Sequence, residues 1–418
     1  MPTRYSQDAV KQESPTPDNR ATRRPRVAFV VQRCGLEVNG GAELLCLKIA
    51  QKMAKYWHTE VLTTTALDYM TWANYYPPGE ELIGETRVRR FPVASPRNVN
   101  SFNRLSERIA PRVKNATIEE QEKWMRAQGP WSPALLDYVR QHAAEFDAFI
   151  FFPYLYATTY FALPLVQDKA YLAPLAHDEW PIYMSMWDKF FQLPQGFIFN
   201  TPEELDFLKT RFPGAGLNGP VAGMALDPPE TLDGDGFRSQ FRINERFILY
   251  IGRIDPSKGC DDLFHNFMEL QKQNRAPRKL VLLGKPAMDV PKHPDIITLG
   301  FVDEQTKWNA LAACDFLVMP SPYESLSIVL LEAWWAGKAV LVNGKCRVLV
   351  GQCRRSQGGL WYSDPTEFMV AVKHLNEETR RQLGIQGQRF VKEAYTWPVV
   401  EKKYSDLINP IPDKNVIQ

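Results

Sequence analysis

The amino-acid sequence predicts an α/β protein built of two doubly wound domains. Three observations carry the prediction. A continuous apolar run, Val27 to Val31, is followed by a glycine-rich loop and an amphipathic segment. Residues 213–236 are dense in Gly, Pro and Asp. A fresh alternation of apolar strands and helical segments then begins at Phe247. The 418 residues suit two or three domains at roughly 100–200 residues each.

The first run, Val27-Ala28-Phe29-Val30-Val31, has no polar alternation and reads as a parallel strand buried on both faces. Gly35, Gly40 and Gly41 mark the loop after it, and a helix is expected from about Ala42 to Lys55. A second strand over Thr59–Thr64 completes a βαβ unit. Further strands are expected at Ala148–Phe152, Ala170–Pro174 and Gly196–Phe199, while residues 69–131 are irregular and polar-aromatic, with no motif. The Gly/Pro/Asp stretch 213–236 reads as an interdomain linker. Beyond it, strands are expected at Phe247–Ile251, Lys279–Leu283, Ile296–Leu299, Phe316–Met319 and Ala339–Val342. Helices alternate with them at about Gly259–Gln273, Gln305–Ala313 and Leu326–Ala336. The last helices fall near Thr366–Leu375, Glu378–Glu393 and Pro398–Ile408. Doubly wound sheets bind ligands at the carboxyl ends of their strands, so the cleft between the two domains is the expected site.

Composition narrows the function. Lys+Arg 50 against Asp+Glu 48 leaves a net charge of +2, which supplies no broad field for nucleic acid or anionic lipid. The six cysteines are scattered, with no zinc spacing, and read as free buried thiols of a reducing compartment; Cys346 and Cys353 are close enough in sequence to leave a pairing open. Residues 1–23 are polar and expected to be a disordered tail, and the cluster Arg23-Arg24-Pro25-Arg26 reads as solvated flank or, alternatively, as a targeting or membrane-surface patch. Ala148–Val166 carries no formal charge, but Pro153, Pro164 and its tyrosines and threonines favour a strand and a buried helix over a membrane span.

The residues that bear chemistry concentrate in the second half. Arg253 and Lys258 follow a buried strand in Gly252-Arg253-Ile254-Asp255-Pro256-Ser257-Lys258-Gly259, where a guanidinium and an ammonium can hold a phosphate together; solvated loop charges are the plain alternative. Pro320-Ser321-Pro322-Tyr323-Glu324-Ser325-Leu326-Ser327 follows another strand and opens a helix, whose free N–H groups suit an anion. Glu332 sits in an apolar helix, and a buried carboxylate needs a partner. Vicinal ribose hydroxyls would serve, and so would an ion pair to Arg253 or Lys258. Asp178-Glu179 reads equally as a general-base pair or a solvated loop, and Arg87, Arg89 and Arg90 as a solvated strand face, with an acceptor-phosphate contact as the alternative. His58, His142, His265, His293 and His374 have no metal spacing.

Taken together, G-R-x-D-P-x-K-G and E-S-L-S-I-V-L-L-E-A-W-W-A-G resemble the retaining glycosyltransferases of glycosyltransferase family 4, which have the GT-B fold of two Rossmann-like domains facing across a cleft. The loop Asn39-Gly40-Gly41-Ala42-Glu43, the central Ala176-His177-Asp178 and the closing Tyr395-Thr396-Trp397 extend the resemblance over most of the chain. The resemblance implies that Arg253 and Lys258 hold the donor diphosphate, Glu332 the ribose, and Glu324 the transferred sugar, with the amides of Ser325, Leu326 and Ser327 near sugar and phosphate. It places Gly40 and Gly41 against the diphosphate from the other domain, His177 near the anomeric centre, and Phe301 and Val302 at the base. Ser327, Trp334-Trp335 and Ala339 depart from residues common in that family.

From this follow an organisation and a function as expectations. Residues 24–215 form the acceptor domain and 216–395 the donor domain, and 396–418 hold a C-terminal helix packing back on the first. The activity is transfer of a hexosyl unit, with retention, from a nucleotide-diphosphate sugar to a glycan, lipid-linked or small-molecule acceptor, in polysaccharide or glycoconjugate synthesis. No cofactor and no metal are expected, the donor being a substrate, and nucleic acid is not a partner. The chain is expected in the cytoplasm, with peripheral contact at the inner face of the membrane left open. Alternatives are a GT-B enzyme of other chemistry, such as a phosphorylase or epimerase, and a non-catalytic nucleotide-binding scaffold.

Overall fold

The computed structural model describes residues 23–38, 40–273 and 278–408. The tail expected over 1–23, apart from Arg23, lies outside the described residues, as do Asn39 and residues 409–418.

The first sheet has seven strands: β1 (Arg26–Val31), β2 (His58–Thr64), β3 (Gly79–Ile83), β4 (Thr86–Phe91), β5 (Ala148–Phe152), β6 (Ala170–Leu172) and β7 (Gly196–Phe197). Their order is β3-β4-β2-β1-β5-β6-β7, and every pairing is parallel except that of β3 with β4. The run Val27–Val31 lies at the centre and is fully buried, because helices cover both faces. Those helices are α1 (Gly41–Met53), α2 (Val99–Ile109), α3 (Ile118–Gln128), α4 (Pro133–His142), α5 (Ala157–Tyr160), α6 (Met186–Phe190) and α7 (Pro202–Arg211).

The second sheet begins after α8 (Gly234–Phe241). Its strands are β8 (Phe247–Ile251), β9 (Lys279–Leu283), β10 (Ile296–Gly300), β11 (Phe316–Met319), β12 (Val340–Asn343) and β13 (Gly359–Tyr362). They are all parallel, in the order β10-β9-β8-β11-β12-β13. Between and after them run α9 (Cys260–Lys272), α10 (Glu304–Ala313), α11 (Ile328–Trp335), α12 (Arg347–Ser356), α13 (Pro365–His374), α14 (Glu377–Ala394) and α15 (Trp397–Ile408). The order places β8 beside β11, so the loops leaving these two strands emerge side by side.

α15 returns to the first sheet's side. Glu401 accepts from the Tyr56 hydroxyl at 3.3 Å and pairs with Lys55. Trp397 Nε1 donates to Asp227 at 2.6 Å, and that carboxylate also holds Lys48 and Lys52 of α1 at 3.0 and 2.9 Å.

The structure corrects several expectations. Residues 69–131, read as irregular, hold β3, β4, α2 and α3. Of the arginines of β4, Arg87 is on a solvated face as expected, but Arg89 and Arg90 are not. Edge strand β3 sets Glu80 and Glu81 beside them, so Arg89 bridges Glu60 and Glu80 at 2.7 and 2.6 Å. Arg90 is buried on Glu81 at 2.6 Å and on the Cys34 carbonyl at 2.8 Å. Both are held by protein carboxylates, which disfavours either as the acceptor-phosphate contact, although Arg90 Nε has no hydrogen-bond partner among the described residues. The flank is tied down too: Arg23 meets Asp147 at 2.6 Å and Arg26 meets Glu60 and Glu145 at 3.1 and 2.7 Å.

α12 and β13 were not anticipated and add a whole unit to the second sheet. After β5 the expected buried helix is only the short α5 and a 3₁₀ turn over Leu163–Lys169, where Pro164 removes an N–H. Among the described residues no helix is long and apolar enough to cross a membrane. All six cysteines are buried free thiols, so Cys346 and Cys353 are unpaired.

Candidate functional site

The loop after β8 is shaped by Asp255. Its Oδ1 caps the 3₁₀ turn Pro256–Lys258 by accepting from Lys258 N at 3.2 Å and from the Ser257 hydroxyl at 2.5 Å, and its Oδ2 pairs with Arg253 Nε. Burial opposes the Asp255 charge, but Ser257 and Arg253 outweigh it and hold the carboxyl below its ordinary range. Gly259 then ends the turn at φ +72°, and a Cβ there would lie 2.4 Å from the Pro320 carbonyl oxygen. Only glycine lets the β8 loop approach the β11 loop this closely.

That approach sets Lys258 against Glu324. Nζ lies 2.7 Å from Oε1, with the two side chains 32% and 14% exposed. Burial works against the lysine charge, yet the carboxylate prevails and its pKa lies above the ordinary lysine value. An ammonium has three N–H groups, so two remain for an anion. The Arg253 guanidinium lies 5.6 Å from the ring of Tyr69, which belongs to the first sheet's side.

Glu332 lies within α11 and is buried, as expected. Its partner is neither Arg253 nor Lys258. Lys307 of α10 holds Oε1 at 2.6 Å, because α10 packs beside α11 and points its lysine inward. Oε2 is buried with no partner. Burial raises the Glu332 pKa and Lys307 opposes the rise. A buried acceptor left open in this way suits a hydroxyl donor from a ligand.

α11 starts at Ile328, two residues later than expected, with Ser327 as an N-cap that makes no side-chain capping bond. Leu326 therefore stays in the loop, and the Ser327 amide is engaged at 3.4 Å by Gln352 Oε1 of α12. This withdraws the Ser327 amide from the set of ligand donors that the resemblance implied. Ser325 faces the other sheet's side: its hydroxyl accepts from Asn200 Nδ2 at 3.4 Å and its carbonyl from the Thr201 hydroxyl at 3.2 Å.

From the first domain, His177 turns its ring toward Tyr323, with centroids 6.1 Å apart. Its Nδ1 lies 3.0 Å from Glu179 Oε1 but off the line of a hydrogen bond, and it counts among the buried atoms without a partner. The Glu179 carboxylate thus stands beside His177, while Asp178 accepts from the Tyr183 hydroxyl at 2.6 Å. Gly40 is the N-cap of α1, and a Cβ there would meet Glu43 Oε2 at 2.1 Å. Glu43 pairs with Arg33 at 2.5 Å, both buried, and the Arg33 guanidinium lies 5.7 Å from the Tyr69 ring. Gly41 has open space around it. Gly300 ends β10 at φ +71°, after which Phe301 is 71% exposed and Val302 packs on the core.

The structure thus joins Arg253, Lys258 and Glu324 at one loop pair, brings His177 to Tyr323 and Asn200 and Thr201 to Ser325 of the same loop, and keeps Glu332 apart on Lys307. Four residues were missed. Tyr69 and Lys307 carry no motif signal. Tyr323 was quoted without a role. Glu204 was legible: Thr201-Pro202-Glu203-Glu204 has the spacing of a capping box. Glu204 is fully buried in α7 and accepts from the N–H groups of Ala176 and Asn200, both at 2.7 Å, which fixes the stretch carrying His177. Burial pushes its pKa up to about 7 against those donors.

Residues 245–378, from β8 into α14, match the model of the glycosyl transferases group 1. The second sheet and its helices thus resemble the glycosyl transferases group 1. An uncharacterized glycosyltransferase, MJ1607 of Methanocaldococcus jannaschii, is 26% identical to this chain over 221 residues. The match takes in 49% of this chain and 54% of that protein, so the chain spans about half the length of the curated relative it matches.

Among solved structures, sucrose-phosphate synthase (tll1590) from Thermosynechococcus elongatus superposes with a TM-score of 0.66 at 15% identity, over 92% of this chain and 98% of that one. Anabaena Alr3699/HepE in complex with UDP and glucose does so at 0.61 and 15%, over 93% and 100%. A trehalose-6-phosphate structure from E. coli bound with UDP-2-fluoro glucose gives 0.65 at 12%, over 92% and 99%. The chain therefore has the GT-B fold.

Proposed function

We propose that this chain transfers a hexosyl unit from a nucleoside diphosphate sugar to a hydroxyl acceptor, with retention of anomeric configuration and without a metal ion. The observation that carries the reading is the cationic pair Arg253 and Lys258 at the mouth of the second sheet, with Glu324 on one side and the open Glu332 Oε2 on a helix of the same sheet. As the glycosidic bond breaks, negative charge grows on the departing diphosphate. Fixed positive charge lowers that barrier more than it stabilises the bound substrate. Arg253 and the two free N–H groups of Lys258 supply the charge, the uncapped start of α11 adds its dipole, and Glu332 Oε2 accepts from a ribose hydroxyl. Glu324 orients the sugar, His177 lies beside the anomeric carbon, Gly40 and Gly41 admit the diphosphate closely, and Phe301 and Val302 flank the base. The UDP and glucose named for Alr3699/HepE support UDP-glucose as the first donor to test. Six buried free thiols favour a reducing compartment, in keeping with a cytoplasmic enzyme of glycan or glycoconjugate synthesis.

The test is incubation of the full chain with UDP-glucose and candidate hydroxyl acceptors in excess EDTA, with released UDP and the product's anomeric proton followed by NMR. UDP release with an α-configured product is expected. Complete loss in EDTA, restored by Mn²⁺ or Mg²⁺, rejects the metal-free chemistry. Formation of glucose 1-phosphate from donor and inorganic phosphate indicates a phosphorylase instead.

A further inference from the structure

The first domain contains a cavity of about 610 Å³ that the donor chemistry does not use. Five cations line it: Arg97, Arg104 and Arg108 on and before α2, and Lys123 and Arg126 on α3. Neither Asp nor Glu is among its described lining residues. The chain as a whole is nearly neutral, so five cations in one cavity are a local feature and not a by-product of a basic protein. Gathering like charges is unfavourable, and a concave site with one sign of charge concentrates anions.

Of the neighbouring carboxylates, one is engaged elsewhere and the other pairs loosely with a single cation of the cavity. Glu120 pairs with Arg112 at 2.5 Å, and Glu122 is 3.7 Å from Arg126. Arg97 gives its hydrogen bonds to uncharged acceptors only, the carbonyls of Tyr69, Met70 and Gln128 and the Gln128 amide oxygen. Arg104 reaches nothing but Ser101 Oγ, at 3.3 Å. Phe102 and Trp131, both half-buried, supply an apolar wall on which the C–H face of a sugar ring can lie, while Trp72 is itself buried.

The cavity adjoins the donor loops. The Arg97 guanidinium lies 4.9 Å from the Trp72 ring and 5.7 Å from Tyr69, and Arg253 lies 5.6 Å from that same Tyr69. One ring separates the cation cluster from the residue assigned to the donor diphosphate.

We infer that this cavity is the acceptor subsite and takes an acceptor bearing a phosphate group, with Arg104 and Arg108 as phosphate ligands and Phe102 and Trp131 facing its sugar. The inference rests on the proposed transfer reaction and names the class of its second substrate. The phosphate can belong to a soluble sugar phosphate or to a polyisoprenyl carrier, and the two are separable.

The experiment uses the full chain saturated with UDP, which fills the Arg253–Lys258 cradle and leaves only the cavity for a second anion. Glucose 6-phosphate, glucose and a polyisoprenyl phosphate in neutral detergent micelles are titrated by calorimetry into wild type and the Arg104→Ala/Arg108→Ala variant. Both arginines are exposed on α2, and alanine favours a helix, so the fold should survive. One of the two phosphates should bind wild type, glucose should not, and the variant should lose at least about 10-fold in that affinity. Binding of the soluble or of the lipid phosphate identifies the source. Absence of both, or affinity unchanged in the variant, overturns the inference. UDP saturation is the separate control: if UDP binds and phosphate does not, only this inference falls, and if UDP fails to bind, the donor reading falls and this one with it.

Discussion

Replacing Lys258 by alanine probes the donor cradle most directly, because the structure predicts two separable consequences. The first is chemical. The ammonium donates one hydrogen bond to Glu324 and has two N–H groups left for the departing phosphate. Losing a preorganised donor to developing charge costs about 2.7–4 kcal/mol in mutational series, so the turnover number should fall by about 10²–10³. The charge on the diphosphate is greatest in the transition state, so affinity for the intact donor should fall by much less.

The second consequence is structural. Glu324, 14% exposed, loses its only charged partner, and a charge-assisted hydrogen bond of this kind is worth about 1.5–3 kcal/mol. Lys258→Ala/Glu324→Gln removes the stranded carboxylate and should recover part of the urea midpoint while turnover stays low. The assay is single-turnover release of UDP from saturating UDP-glucose, run beside urea unfolding for wild type, the single and the double variant. A folded Lys258→Ala enzyme within about threefold of wild-type turnover would refute the reasoning outright, since threefold corresponds to about 0.7 kcal/mol and leaves the lysine no charge to neutralise.

Glu332→Gln should weaken UDP binding about 10-fold or more and abolish discrimination between UDP and its 2′,3′-dideoxy analogue in calorimetry, because Oε2 is the open acceptor; retained discrimination excludes a ribose contact. Gly259→Ala places a Cβ 2.4 Å from the Pro320 oxygen at φ +72° and should cost at least about 2 kcal/mol in unfolding along with most UDP affinity; an unaltered urea midpoint contradicts the close approach of the two loops. Glu204 ties stability to pH. Its folded pKa of about 7 lies above an unfolded value of about 4.3, so its contribution is full below the unfolded value and is lost as pH rises through the folded one. Between pH 4.5 and 7.5 wild type should lose up to about 3 kcal/mol relative to Glu204→Gln, and parallel stability profiles for the two proteins rule this out.

What was legible in the chain follows from which forces act locally. Central strands such as Val27–Val31 and Phe247–Ile251 declare themselves because burial on both faces demands an unbroken apolar run. β3 and β4 do not, since their stability comes from Glu80 and Glu81 lying beside Arg89 and Arg90, a match visible only once the register exists. Helix α12 escaped notice for a related reason: its polar residues are partly buried, as Gln352 shows by turning inward to the Ser327 amide. In the site, the motif residues Arg253, Lys258 and Glu324 were legible because they are close in sequence to the strand ends that hold them. Lys307 was not, for it lies on another helix and reaches Glu332 only through the packing of α10 on α11.

Tyr69 links these two kinds of residue. The guanidinium groups of Arg33, Arg97 and Arg253 all lie within 5.7 Å of its ring, and the three come from the glycine-loop side, the basic cavity and the donor loop. A ring face attracts cations without neutralising them, so Tyr69 can hold three positive groups near one another, of which Arg33 is also paired with Glu43 and Arg253 with Asp255. A carboxylate in its place would bind them more tightly and repel the anions that both substrates are proposed to carry. An aromatic residue therefore suits a position where two domains meet around a shared pool of negative charge, and the placement of Tyr69 follows from that electrostatic requirement more readily than from packing.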